Sequence, residues 1–115
     1  MDKNVKISVL LSIYGKLLTD KQYSLLDDYY NNDFSLSEIA DNLKITRQAV
    51  RDNLKKGENK LFEFEEKLQI MKTTMKQEKK IVDILSELTK IQTKFSDEQI
   101  AKILENIKHE LNGLI

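Results

Sequence analysis

A chain of 115 residues allows one compact domain, or a small domain with an extended arm. Its 19 basic and 19 acidic residues cancel, so the overall charge lends no support to a nucleic-acid partner and only the charge distribution can. With no cysteine, no proline and three glycines, the chain lacks a disulfide framework, thiolate metal ligands and the turn formers of a sheet protein, and an all-α fold is expected.

The first stretch, Val5 to Leu17, carries Val5, Val9, Leu10, Ile13, Tyr14 and Leu17, which fit a helix buried over much of its girth. Its β-branched residues also suit a strand, but no partner strand is in sight. Gly15 is expected to loosen the helix end. No N-terminal apolar run follows a basic region, and no segment is long enough to span a bilayer, so a soluble cytoplasmic protein is expected. Thr19 and Gln22 form a T-x-x-Q capping box for a helix to about Tyr30, with Tyr23, Leu26, Tyr29 and Tyr30 facing the core or a neighbour. The four tyrosines and Phe34 could stack bases, but they sit at helical spacing beside Leu and Ile without interleaved basic residues, which favours packing.

Residues 31–33 read as a loop, and Phe34 is placed as a hydrophobic staple before the S-x-x-E capping box of Ser35 and Glu38. The short helix that follows carries Leu36, Ile39, Ala40 and Leu43 on one side. Thr46 is the next N-cap. Beyond it Val50, Leu54 and Leu61 share one face, while Arg47, Arg51 and Lys55 share another at spacings of four. A small residue at Ala40 permits a close helix crossing, and Leu43 and Ile45 are expected to plug the angle between the two helices. This is the pattern of a helix-turn-helix, with Thr46, Arg47, Gln48 and Arg51 placed to read a major groove and Ser35 and Lys55 to hold phosphates. The bland alternative is a helical hairpin with a solvated charged face. Gly57 is expected to act as a soft joint in a continuous helix, in which case alanine there would stabilise.

From Leu61 the residues Leu61, Phe64, Leu68, Met71 and Met75 follow spacings of three and four, a stripe that predicts self-association. The run at 76–80, KQEKK, breaks the rhythm. It resumes out of phase at Ile81, Ile84, Leu85, Leu88, Ile91 and Phe95, either in a second helical block or in one long helix whose halves meet different partners. Ser96 and Gln99 predict a capping box for a last helix with Ile100, Ile103, Leu104, Ile107 and Leu111, ended by Gly113 and folded back on residues 81–95. The boundary between a helix-turn-helix domain and a helical arm is drawn at 60/61. His109 has no partner for a metal, and no nucleotide loop, nucleophile elbow or cofactor box is present, so neither enzyme activity nor a cofactor is expected.

Lys21-Gln22, Tyr29-Tyr30, Ser35 to Ala40, Thr46 to Lys55 and Phe64 to Leu68 together resemble a known pattern. It is similar to the carboxy-terminal, promoter-reading domain of bacterial sigma factors, and more closely to the YlxM family of small bacterial proteins. The likeness covers roughly residues 4–72, and T-R-Q-A-V-R-D is its specific part. Related turns usually hold Gly where this chain has Lys44, and a left-handed backbone would cost Lys about 1 kcal/mol, so a slightly different turn is expected. The resemblance implies a DNA-binding regulatory protein with a part in the signal recognition particle pathway. Its alternative is an accessory protein that binds the particle's RNA or its GTPase. A homodimer without membrane insertion is the expected assembly, with duplex DNA the preferred ligand and structured RNA the other.

Overall fold

The computed structural model describes residues 1–115 as six α-helices: α1 Lys3–Tyr14, α2 Asp20–Tyr30, α3 Leu36–Leu43, α4 Arg47–Leu68, α5 Ile70–Lys94 and α6 Glu98–Asn112, with a 3-10 turn at Gly15–Leu17. The fold is all-α, and the N-terminal stretch that also suited a strand is helix. The chain divides into two compact units, Met1–Met71 and Lys72–Ile115.

In the first unit α1, α2 and α3 pack against α4. Ile7, Leu10, Leu11 and Tyr14 of α1, Leu25 and Leu26 of α2, Ile39 and Ala40 of α3, and Val50, Leu54 and Leu61 of α4 form one core. Each fully buried aliphatic side chain contributes roughly 1.5–3 kcal/mol relative to exposure. The helix starts follow local chemistry. Thr19 Oγ1 accepts from Gln22 N–H while Gln22 Oε1 accepts from Thr19 N–H, and Ser35 and Glu38 repeat the exchange. Phe34, ahead of the second box, is half-buried against the core.

Gly57 is buried in the middle of α4 and has no positive φ. A Cβ there would stand 2.8 Å from Leu26 Cδ1 and 3.3 Å from its Cγ. The soft-joint expectation is therefore corrected. Gly57 stands where α2 crosses α4, and the buried Leu26 leaves no room there for a side chain. Gly15 has a similar reason: a Cβ would lie 2.6 Å from the Tyr23 ring. Val5 of α1 and Leu17 of the 3-10 turn stay exposed, so this stretch buries a narrower face than its sequence suggests.

Of the two arrangements expected around 76–80, no separate helical block starts there. Residues 76–80 continue inside α5, and the chain turns at Gln69, which is left-handed (φ 53°, ψ 31°). The first amides of α5 find acceptors within this unit: Ile70 N–H donates to the Tyr14 hydroxyl and Met71 N–H to Glu65 Oε1, while Tyr14 donates to the same carboxylate at 2.7 Å. Burial, and then the hydrogen bond to Glu65, raises the Tyr14 pKa above the ordinary 10.0. A second link ties three helices, with the Tyr30 hydroxyl of α2 donating to Glu58 of α4 and Lys3 of α1 lying 3.9 Å from the same carboxylate. Burial and Glu58 push the Tyr30 pKa strongly upward.

In the second unit the later part of α5 and α6 form an antiparallel hairpin. Gln92 donates to Glu105 at 2.7 Å and accepts from Lys108 at 2.7 Å, and Leu104 is buried. The cap of α6 is Asp97 rather than Ser96. Its carboxylate accepts from both Gln99 N–H and Ile100 N–H, two charge-assisted bonds that a serine one residue earlier does not supply. Gly113 does close α6, with an ordinary right-handed backbone.

Candidate nucleic-acid interface

The turn between α3 and α4 is fixed by its backbone. Lys44 is left-handed (φ 56°, ψ 44°), its N–H donates to Asp41 O at 3.4 Å, and Ile45 N–H reaches back to Ala40 O at 3.1 Å. This is a Schellman ending, the geometry in which glycine is usual. The slightly different turn expected for a lysine does not occur: Lys44 adopts the strained conformation instead. The Leu43 and Ile45 plug is also corrected. Leu43 is 55% exposed and Ile45 38%, and Ala40 and Ile39 fill the angle instead. Both larger residues line an open groove of about 550 Å³ with Leu25 of α2 and Asn53 and Lys56 of α4.

Thr46 caps α4, its hydroxyl accepting from Ala49 N–H at 3.0 Å. The following residues divide cleanly. Val50, Leu54, Gly57 and Leu61 anchor the helix in the core. Arg47, Arg51 and Lys55 are exposed, and none of them has an ion pair or hydrogen bond within the chain. They climb the helix at about 6 Å per step. The Asp52 carboxylate accepts from Gln48 Nε2 at 3.0 Å, so Gln48 is engaged rather than free. Ser35 is exposed at the α3 N-terminus with its side chain committed to the Glu38 cap.

The α4 positions expected to form a site thus share one exposed face, with three uncompensated cations along it. Lys44 carries a charge as well as an unusual backbone. Exposed and two residues ahead of the Thr46 cap, it adds a fourth cation near the start of α4. The chemistry available is attraction of polyanion phosphates by side chains and a helix N-terminus, with two arginines able to make bidentate bonds.

The expected self-association stripe is divided. Leu61 is fully buried and Met71 nearly so, and Phe64 packs its ring 5.8 Å from that of Tyr14. These three belong to the core of their own chain. Leu68 and Met75 stay exposed, at 53% and 45%. Periodicity placed the five together, but only Leu61, Phe64 and Met71 pack inward. No cluster of His, Asp or Glu able to hold a metal ion is present, and no helix is long and apolar enough to cross a membrane.

The model of the UPF0122 family, described as "Putative helix-turn-helix protein, YlxM / p13 like", matches residues 1–107. A UPF0122 protein of Acetivibrio thermocellus is 38% identical over 115 residues, covering 100% of this chain and 98% of the relative. One from Fusobacterium nucleatum is 40% identical over 107 residues, covering 93% and 97%. One from Clostridium kluyveri is 41% identical over 112 residues, covering 95% of each.

Proposed function

We propose that this chain, which belongs to the UPF0122 family of YlxM/p13-like helix-turn-helix proteins, binds duplex DNA through the exposed face of α4. The observation that carries the reading is the row Arg47, Arg51 and Lys55, exposed and without internal partners, behind the cap at Thr46. An unpaired surface cation gains little within the monomer. A phosphate backbone gives it a partner and releases counterions. The two arginines sit within the first two turns of the second helix, where helix-turn-helix proteins contact base edges, and Lys44, Lys55 and Ser35 are assigned to phosphates. A regulatory role on DNA follows from this reading.

A second reading has an observation of its own. Gln48 is held by Asp52 and the Thr46 oxygen accepts a backbone hydrogen bond, which leaves fewer groups free to read bases and favours backbone contacts. Such a face also fits structured RNA, recognised by shape and phosphates. In that case the signal recognition particle RNA is the ligand, and the link to that pathway is direct.

Competition measured by fluorescence anisotropy separates the two. Labelled duplex DNA held by the protein and displaced at least tenfold more weakly by particle RNA than by unlabelled duplex supports the DNA reading. The reverse order overturns it in favour of RNA. Binding of neither, with capture of the particle's GTPase, overturns both.

A further inference from the structure

We infer that the hairpin of α5 and α6 is the docking surface for a second copy of this chain, through the face formed by Ile84, Ile91 and Phe95 of α5 and Ile100, Ile103 and Ile107 of α6. This inference stands apart from the nucleic-acid reading.

The two helices bury very little against each other. Leu104 is the one buried residue of Lys72–Ile115, while Leu85, Leu88 and Gln92 of α5 and Lys108 and Leu111 of α6 are half-buried. Both apolar stripes are wider than the line of contact. Ile84, Ile91 and Phe95 are 46%, 39% and 57% exposed, and Ile100, Ile103 and Ile107 are 38%, 58% and 39% exposed. At about 100° per residue, each exposed set lies roughly 75° to the same rotational side of its helix's contact line. In an antiparallel pair, equal offsets of the same sense put both sets on one face.

That face presents on the order of 500–600 Å² of apolar surface, at the top of what monomers leave bare and near the ~800 Å² per partner of a standard interface. A two-helix unit of this size has too little core to hold itself together, and small units of that kind are completed by oligomerisation. Facing a copy of itself, the hairpin becomes a four-helix bundle with these six residues and Leu85, Leu88 and Leu104 in its interior. The surface is self-compatible in charge: residues 72–115 hold eight lysines against seven acidic residues, so two copies do not repel. The occupant is therefore an identical hairpin, paired about a two-fold axis.

Sedimentation velocity of the full chain tests this, with wild type compared against the Ile84→Glu, Ile103→Glu double variant and against Val82→Glu. Val82 is 53% exposed but lies on the opposite side of α5. All three sites are open to solvent, and an unchanged tyrosine near-ultraviolet spectrum reports that the first unit is intact. Wild type and Val82→Glu should sediment at twice the 13.5 kDa chain mass. The double variant should be a monomer, with a dissociation constant raised at least ~100-fold by two carboxylates forced into the interface. A monomeric wild type at 100 μM order of concentration overturns the proposal, as does a double variant that remains dimeric, or a dimer abolished equally by Val82→Glu.

Discussion

Lys44→Gly should stabilise the protein, because the strain it removes lies in one backbone dihedral pair. At φ 56°, ψ 44° the lysine Cβ crowds the backbone, and left-handed geometry costs a non-glycine residue about 1–2 kcal/mol. Glycine loses about 0.5–1 kcal/mol more conformational entropy on folding, which offsets part of the gain. The net stabilisation is about 0.5–1 kcal/mol. Residues 1–71 form the unit concerned, and for a unit of that size this corresponds to a rise of about 2–8 °C in Tm. The Lys44 side chain is exposed and has no internal partner, so nothing else is lost from the fold. Lys44→Ala is the control: it removes the charge and keeps the strain, so its Tm should stay near wild type. Thermal and urea unfolding followed by circular dichroism measure both. If Lys44→Gly and Lys44→Ala unfold together, the turn does not hold a left-handed residue and the reasoning fails.

Gly57→Ala should destabilise, since overpacking against the buried Leu26 costs about 1–3 kcal/mol and the gain in helix propensity is about 1 kcal/mol; a higher urea midpoint than wild type would contradict the close crossing. Tyr14 and Tyr30 both have raised pKa values. Their protons are held more tightly in the folded state, so the stability they contribute is fully present below pH 10 and is lost as pH rises above it, where the unfolded phenols ionise first. The Tm should fall over that range, and the Tyr14→Phe, Tyr30→Phe double variant should show a shallower fall; equal slopes would refute the assignment.

Those features legible in the sequence were the local ones. The Thr19–Gln22 and Ser35–Glu38 boxes and the Thr46 cap depend on side chains three residues from the amides they serve, so a short window contains the whole interaction. The exposed arc of Arg47, Arg51 and Lys55 follows from helical spacing in the same way. What the sequence hid depends on distant partners or on backbone states that its residues do not advertise. Gln69 is not a residue that signals a left-handed bend, so the rhythm from Leu61 to Met75 read as one stripe although its members face different surroundings. Gly57 looked like a flexible point because Leu26, 31 positions earlier, is absent from any local window. Leu43 and Ile45 were apolar in the right register yet lie at an open groove, since Ala40 and Ile39 already fill the helix crossing.

The most direct test of α4 as the nucleic-acid reader is the salt dependence of binding for wild type and the Arg47→Ala, Arg51→Ala double variant, on duplex DNA and on particle RNA. Both side chains are exposed and partnerless, so the variant keeps the fold. Loss of either arginine should cost about 1–3 kcal/mol where it reads a base, and each lost phosphate contact should lower the slope of log affinity against log salt by about 1. The account predicts weaker binding by the double variant, with a shallower slope, on whichever nucleic acid the wild type prefers. Equal affinity and equal slope for the two proteins would contradict it and place the ligand elsewhere on the molecule.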